Sequence, residues 1–272
     1  MRKPYPTDLT DAEWEIIRPY IPEPVHIPNL MTPKYARRDV VDGILYRERT
    51  GCQWRNLPHD LPPWKQTFEY YRKWRDNGTI DRMHDALREK VREQTPRADG
   101  TVRSDDPTIC ILDSQSAKTS EEAEPATRGY DAGKKVKGRK RHLVVDALGL
   151  LLVGWVTTAS VQDRDAAVSI LETAKRDYPS LQKVFLDGGY RGEVKLEIET
   201  RAKLQVEITL RSDATAQKGF KPLPVRWKVE RTFGWLNRYR LLSKEFERTI
   251  ASSQADIQLC MSRMMVRRLT AG

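Results

Sequence analysis

Three acidic residues stand where a site that cuts phosphodiester bonds could be built. Asp113 ends the apolar run Ile-Cys-Ile-Leu, Asp187 ends the run Val-Phe-Leu, and Glu230 lies in a basic, tryptophan-containing stretch with helical spacing. Each apolar run is short and bounded by polar residues or glycine, which is typical of a buried strand that carries a carboxylate at its end. Two such carboxylates on adjacent strands, with a third on a helix packed across them, would bind hard divalent cations without any Cys or His ligand.

Carboxylate oxygens suit Mg²⁺ or Mn²⁺, which keep several waters and accept substrate phosphates as further ligands. Two such ions about 3.5–4 Å apart can activate an attacking oxygen and stabilise the leaving one in an in-line phosphodiester displacement. On this hypothesis Asp113 bridges both ions, Asp187 holds one, and Glu230 holds the other and orients the nucleophile. The alternative for each aspartate alone is a turn residue or a helix cap, and for the glutamate a solvated helical side chain.

The stretch around Glu230 is crowded with basic side chains: Arg226, Lys228, Arg231, Arg238 and Arg240. On a helix, Arg226, Glu230 and Asn237 fall near one face. A second face carries an apolar stripe of Val229, Phe233 and Leu236. This spacing predicts a metal-binding glutamate beside a phosphate-binding arginine.

Positive charge is concentrated in the same part of the chain. Residues 211–272 hold 13 Lys or Arg against 5 Asp or Glu, which accounts for +8 of the net charge of +10. Lys and Arg neutralise phosphates and release counterions, so the excess favours a polyanionic partner. A basic surface alone is common and does not identify that partner.

A second basic segment, KKVKGRKRH at residues 134–142, follows a polar loop and enters a predicted strand. Its six cations are Lys134, Lys135, Lys137, Arg139, Lys140 and Arg141. The pattern predicts a flexible arm that clamps the DNA backbone, and the alternative is a solvated loop. Further along, Gln162, Asp163 and Asp165 are interpreted as caps of the helix that follows them.

The elements that must position these residues fall into two parts. Helical periodicity runs from Leu9 to about Gln94, opened by a capping box in which Glu13 follows Thr10 by three residues, and it predicts four helices. Basic residues stand beside aromatic ones in the third of these helices: Lys65, Arg72, Lys73 and Arg75. They are compatible with a helix-turn-helix laid on DNA, and the alternative is an ordinary helical bundle with a tryptophan core.

A polar stretch near residues 94–106 marks the predicted boundary between a helical domain, 1–96, and a second domain, 107–272. The second part alternates strands with helices and includes a hairpin that turns at residues 147–149, which predicts a mixed α/β fold. The three cysteines are isolated and odd in number, so small buried thiols are expected rather than disulfides or a zinc site. The first twenty residues lack an apolar signal-peptide core, and the longest apolar run is too short to span a bilayer, so we expect a cytoplasmic protein without membrane contact.

Several motifs together resemble the DDE transposases of bacterial insertion sequences, in the insertion-sequence-five family. The N-terminal part contains LTDAEWEIIRPYIP, RRDVVDGILYRERTGCQWRNLP and WKQTFEYYRKWRDNG, which resemble the leading helical domain of that family. The rest contains DSQSAKT from Asp113, GYDAGKKVKGRKRHLVVDALGLLL, TTASVQDRDAA, FLDGGYRG around Asp187, and VERTFGWLNRYRLLSKEFER around Glu230. The resemblance covers nearly the whole chain, and the motifs are specific as a set.

This resemblance implies a ribonuclease H-like catalytic core, Mg²⁺-dependent cleavage at the ends of the element, and transfer of the resulting 3′-hydroxyl into target DNA. It assigns the three acidic roles to Asp113, Asp187 and Glu230. The implied partners are double-stranded DNA, as terminal inverted repeats and as target, and further copies of the chain in a homodimer or larger synaptic assembly. The implied location is the bacterial nucleoid.

The family's signature Tyr-x2-Arg-x3-Glu-x6-Lys is partly present. Arg226 and Glu230 match it, whereas Leu223 stands at the tyrosine position and Asn237 at the lysine position. Arg238 follows Asn237 directly, and we consider it a candidate substitute for the lysine of the signature.

Two other functions remain open at this point. One is a nuclease of the same fold that hydrolyses DNA without joining it. The other is a domesticated, non-enzymatic DNA-binding protein that acts through its helical domain.

Overall fold

Four helices precede a mixed sheet and its covering helices in the computed structural model, which describes residues 2–22, 35–209 and 227–271 of the 272-residue chain. The helices are α1 (Asp11–Ile17), α2 (Arg37–Thr50), α3 (Trp64–Asp76), α4 (Thr79–Glu93), α5 (Asp163–Asp177), α6 (Glu193–Arg201), α7 (Trp227–Leu236) and α8 (Ile250–Thr270). The strands are β1 (Ile109–Lys118), β2 (Gly129–Asp131), β3 (Val136–Asp146), β4 (Leu151–Thr158), β5 (Lys183–Leu186) and β6 (Gln205–Ile208).

The N-terminal helices begin and end where their sequence signals predict. The Thr10 side chain accepts the N–H of Glu13 and the Glu13 carboxylate accepts the N–H of Thr10, so the predicted capping box is confirmed. Gly51 ends α2 and Gly78 forms the turn between α3 and α4, with φ of 69° and 74°, a conformation that favours glycine. The four helices predicted between residues 9 and 94 are all present.

These N-terminal helices share their core with the C-terminal helix. Buried side chains such as Ile44 and Tyr71 belong to one apolar cluster with Leu259 and Val266 of α8. The Tyr71 hydroxyl also donates a hydrogen bond to the Asp256 carboxylate of α8, at 2.6 Å. Residues 94–108 form a long connection without helix or strand where the domain boundary is predicted. The division into residues 1–96 and 107–272 stays a prediction, because the apolar core is continuous between the two parts.

The sheet has the strand order β2-β3-β1-β5-β6, and β4 pairs with β3 on the same side as β2. β1 runs antiparallel to β3 and parallel to β5, which in turn is parallel to β6. The predicted hairpin of β3 and β4 is confirmed, and its turn includes Gly149 with a φ of 79°. The Gly149 N–H donates to the carbonyl of Asp146, which closes the turn.

Helices cover both faces of this sheet. Side chains alternate along the strands, so apolar residues project from both faces and pack against these helices. Leu112 and Val144 share one apolar cluster with residues of α5 and α6. Ile111 and Leu143 share another with residues of α7 and α8. The second face, defined by Ile111, Leu143, Val145 and Phe185, is called the α7 face below.

The cysteines in the structure are free thiols. Cys110 and Cys260 are buried, as predicted for small core residues, whereas Cys52 is half-buried. Burial raises the pKa of both Cys110 and Cys260, so neither thiol has the thiolate character that reactivity requires.

Candidate active site

Asp113 and Asp187 lie side by side on neighbouring strands. β1 and β5 pair in parallel with Ile111 beside Phe185, and two further residues along each chain bring Asp113 beside Asp187. Asp113 shares the α7 face with Ile111, because side chains two apart along a strand share a face, and the same alternation continued from Phe185 directs Asp187 to that face. Neighbouring strands are about 4.8 Å apart. The predicted placement of the two aspartates on adjacent strands is confirmed, while their catalytic role stays a prediction.

One detail of the prediction for Asp113 is wrong, because the residue does not end its strand. β1 continues to Lys118, so Asp113 lies in the middle of the strand and pairs with Leu143 of β3. The polar run after it stays extended because β3 provides a partner as far as Gly138. Asp187, in contrast, directly follows β5 as predicted.

Backbone N–H groups orient both aspartates. Asp187 accepts the N–H of Gly189 at 2.8 Å, in the turn that follows β5. Asp113 accepts the N–H of Ser114 at 2.7 Å. The bond of Asp187 is the capping bond that the sequence offered as an alternative to metal binding. The two roles are compatible, because an ionised carboxylate has two oxygens and about four acceptor sites.

Glu230 lies on the helix that covers this face of the sheet. The apolar stripe predicted for that helix is confirmed, since Val229, Phe233 and Leu236 are buried against the sheet. Glu230 itself is exposed on the flank of α7. Within residues 2–22, 35–209 and 227–271, no group of three or more His, Cys, Asp or Glu side chains is arranged to hold a metal ion. Glu230 therefore remains a predicted ligand.

The pair of aspartates fits a hard divalent cation on the chemistry of its donors. Both side chains offer only oxygen, and both are held by strands in the interior of the sheet. Mg²⁺ is usually bound by one or two carboxylates and completes its octahedral shell with water and substrate phosphates. Two neighbouring aspartates are thus a sufficient protein contribution for a first ion.

The basic residues around Glu230 separate into three groups. Arg226 lies outside the described residues. Arg238 and Arg240 are exposed beyond the end of α7. Lys228 and Arg231, joined by Arg238, line a cavity together with basic residues that were not predicted to bind DNA: Arg49, Arg103, Arg267 and Arg268. Arg267 and Arg268 belong to the C-terminal charge excess, but nothing in the sequence connects Arg49 and Arg103 to them.

The basic segment 134–142 is not a flexible arm, and this prediction is wrong. Most of it belongs to β3, which lies between β1 and β4 in the sheet. Arg139, Lys140 and Arg141 are buried, and Arg141 forms an ion pair with the buried Glu245. These three cations cannot contact the backbone of DNA, because their charges are compensated inside the protein. The exposed lysines of the segment remain predicted DNA contacts: Lys134, Lys135 and Lys137.

An ion network beside β1 corrects the interpretation of Asp163. Gln162 occupies the N-cap position of α5 but makes no capping hydrogen bond through its side chain. Asp163 pairs instead with the Lys140 ammonium at 2.8 Å, and that ammonium lies 3.2 Å from the Asp131 carboxylate. Lys134 donates to the backbone carbonyl of the residue after Asp113, at 3.1 Å. The network therefore anchors β1 next to one of the two aspartates.

The predicted DNA-binding residues of the third helix have two different environments in the structure. Lys65, Arg72 and Lys73 are exposed on α3. Arg75 donates to the Ser252 hydroxyl of α8 at 2.7 Å, so it also holds the two helices together. DNA contact by this helix stays a prediction.

A mixed sheet with helices on both faces and two aspartates on its neighbouring central strands defines the class of an α/β catalytic domain of the ribonuclease H-like type. Residues 104–265, more than half of the chain, match the family described as "Transposase DDE domain". The chain therefore belongs to the DDE transposase family. Residues 9–84 match a second family, described as "Putative transposase of IS4/5 family". The resemblance and the fold class predicted from the sequence are confirmed.

Two curated relatives resemble part of the chain. The uncharacterized protein y4sN of Sinorhizobium fredii is 28% identical over 94 residues, covering 35% of this chain and 74% of that protein. The uncharacterized 16.2 kDa protein of insertion element IS402 from Burkholderia cepacia is 30% identical over 92 residues, covering 31% of this chain and 60% of its own length, which is under two thirds.

Membership in the DDE transposase family implies a DNA-cleaving enzyme with DNA as its substrate, and such enzymes generally use divalent metal ions. Among the helices in the described ranges, none combines the length and apolar character needed to cross a membrane.

Proposed function

We propose that this transposase binds the ends of its insertion sequence, cuts phosphodiester bonds there and transfers the resulting 3′-hydroxyl ends to target DNA. The observation that carries the proposal is the register of β1 and β5, which sets Asp113 beside Asp187 on the α7 face. Membership in the DDE transposase family supports it.

Asp113, Asp187 and Glu230 are the residues that would hold two divalent ions. Such ions, when bound, supply activation of the attacking oxygen and stabilisation of the leaving oxygen. The N–H groups of Ser114 and Gly189 keep each aspartate in one orientation, so little reorganisation is needed when the substrate phosphate arrives. Glu230 lies on the flank of the covering helix and is proposed to complete the ligand set in the DNA-bound state.

The DNA backbone would be held by exposed cations rather than by the buried part of β3. Candidates on the described surface are Lys65, Arg72, Lys73, Lys134, Lys135, Lys137, Arg238 and Arg240. We also propose a homodimer or larger assembly that brings two element ends together.

The decisive experiment compares Asp113→Asn and Asp187→Asn with Asp177→Asn, an aspartate near the end of α5 and away from the site. Each protein is given double-stranded DNA that carries an element end, with Mg²⁺, and cleavage and binding are measured separately. We expect cleavage to fall about a thousandfold in the first two variants, roughly 4 kcal/mol of activation free energy. Binding should stay within a few fold, and Asp177→Asn should behave as the wild type. Mg²⁺-dependent cutting retained by both site variants would contradict the proposal.

A pre-cut element end distinguishes transposition from simple hydrolysis. The transposase should join this end to a target duplex, whereas a nuclease of the same fold would only shorten it. A protein that binds the end but neither cuts nor joins it would be a DNA-binding protein without this activity.

A further inference from the structure

A basic cavity of about 640 Å³ lies between α7, the turn that joins β3 to β4, and the C-terminal half of α8. Seven cationic residues line it: Arg49, Arg103, Lys228, Arg231, Arg238, Arg267 and Arg268. Its remaining wall is apolar and includes Leu148, Trp235 and Met265. The volume falls within the range of pockets that hold small organic ligands.

The positive charge of this cavity has no acidic partner among the described residues that line it. Asp146 attracts Lys228 and Arg231, but it is buried and already paired with Arg92, and it accepts the N–H groups of Leu148 and Leu150. Burial, followed by repulsion from Arg103 and Arg231, lowers the pKa of Lys228. An anion in the cavity would relieve this repulsion.

Arg231 is held in place and still has hydrogen-bonding capacity. Its guanidinium lies between the rings of Trp227 and Trp235, 4.4 Å from each centroid, and it donates to the carbonyl of Leu148 at 2.8 Å. The Nε groups of Arg231 and of Arg103 are buried and make no hydrogen bond in the part of the chain that the structure describes. Stacking and the hydrogen bond to Leu148 preorganise the Arg231 guanidinium, a group whose N–H donors match the oxygens of a phosphate.

This cavity is separate from the candidate active site. Lys228, Arg231 and Trp235 share one flank of α7, because they are three and four residues apart. Glu230 lies on the opposite flank, with the buried stripe of Val229 and Phe233 between them. Along the sheet, the turn beside the cavity follows Asp146, which pairs with Cys110, three residues or about 10 Å before Asp113.

We infer that the cavity is a second phosphate-binding site, which holds phosphodiester groups of DNA away from the aspartates that would cut it. The inference rests on the proposed function, because it takes DNA to be a substrate of this protein. In such a site, arginine and lysine side chains recognise a phosphate group. That group could belong to the DNA backbone, as we infer, or to a free phosphate compound. Contacts to phosphates carry no direct sequence information, so we expect the site to contribute affinity and position rather than sequence specificity.

The test uses the full chain in EDTA, which prevents cutting, and a fluorescent double-stranded oligonucleotide at several KCl concentrations. Two variants remove cavity charges, Lys228→Gln and the double variant Arg267→Gln/Arg268→Gln at the exposed end of α8. The matched control is Arg164→Gln/Arg176→Gln, which removes two exposed charges on α5, on the other face of the sheet. Folding of each variant is verified by its thermal unfolding.

We expect the double cavity variant to bind DNA at least tenfold more weakly than the wild type near 0.1 M KCl. The slope of log K against log[KCl] should be smaller in magnitude by about two, since each phosphate contact contributes about 0.9. Lys228→Gln should reduce the slope by about one, and the α5 control should leave it unchanged. Cavity variants that bind DNA with the wild-type affinity and slope would overturn the inference.

A second arm titrates inorganic pyrophosphate into the wild type and into Lys228→Gln by calorimetry. Pyrophosphate binding that is lost in the variant, while DNA binding is unchanged, would assign the cavity to a free phosphate compound and refute the DNA assignment. Failure of the proposed function is a different result, namely a wild-type protein that binds DNA through this cavity but does not cut it with Mg²⁺.

Discussion

Asp113 lies on β1 and Asp187 directly follows β5, the parallel strand beside it, although 74 positions of the chain separate the two residues. Parallel pairing of β1 with β5 sets them at one level, and alternation along the strands turns both to the face covered by α7. The helix α5, which connects β4 to β5, packs on the opposite face and leaves this one to the carboxylates. The sheet therefore holds the two aspartates in a fixed arrangement that suits metal binding.

The first prediction concerns the metal ligands. Replacing Asp113 or Asp187 with Cys should abolish cleavage with Mg²⁺, because a thiolate is a soft ligand and Mg²⁺ prefers oxygen. Mn²⁺, which tolerates softer ligands, should restore a measurable part of the activity to the Cys variants but not to the corresponding Ala variants. The measurement is the cleavage rate with each metal. Equal rates for the Cys and Ala variants in Mn²⁺ would argue against direct ligation.

The second prediction concerns the buried ion pair of Arg141 with Glu245. Glu245→Gln should lower the free energy of unfolding by about 3–5 kcal/mol, since it leaves the charge of Arg141 buried without its partner. The matched control is Glu207→Gln, which breaks a partly exposed pair with Lys183 and should cost at most about 1 kcal/mol. Urea unfolding at pH 7 measures both. Similar losses of unfolding free energy in the two variants would show that the buried pair stabilises the protein no more than the exposed pair does.

The third prediction concerns His142, which is buried in β3 with its Nε2 3.0 Å from the Thr157 hydroxyl. Burial lowers its pKa from 6.5 to about 4. Below pH 6.5 the unfolded chain therefore binds a proton that the folded protein refuses until about pH 4, and stability falls over that interval. At pH 5 the loss relative to pH 7.5 is about 2 kcal/mol for this residue.

The difference between the wild type and His142→Gln isolates this effect from other titrating groups. The variant should lose about 2 kcal/mol less stability than the wild type when the pH is lowered from 7.5 to 5. Denaturant unfolding at the two pH values provides the numbers. Parallel pH profiles would mean that His142 is protonated equally well in the folded state.

The fourth prediction concerns the N-terminal helices. A fragment of residues 1–96 should fail to unfold cooperatively, because it lacks the side chains of α8 that complete its apolar cluster, among them Leu259, Met265 and Val266. Circular dichroism during heating, with the full chain as the reference, tests this. A sharp transition in the fragment would instead establish residues 1–96 as an independent domain.

Local signals in the sequence were sufficient for much of the fold. The capping box at Thr10, the glycine at residue 78 and the apolar stripe of α7 are short-range patterns, and each acts within one turn or one helix. The two short apolar runs that end in aspartates also predict strands without any knowledge of their neighbours. The family follows from motifs distributed over the whole chain, so it too was accessible from the sequence.

The errors arose where long-range pairing decides the environment of a residue. The cations of β3 look like a DNA-binding arm in the sequence, but Glu245, more than a hundred residues later, compensates Arg141 inside the protein. The polar residues after Asp113 predict the end of a strand, yet pairing with β3 keeps that polar segment extended. Neither partner can be identified from local periodicity.

The sequence by itself determined the class of the protein, its helices and strands, and the two strand-borne acids, because these depend on contacts between residues close in the chain. Only the tertiary structure decided which charges are buried, that the N-terminal helices complete their core with α8, and that cations from four separate segments of the chain surround one cavity. Burial and charge compensation depend on which segments meet in space. That choice is made by the packing of the whole chain and by no single segment.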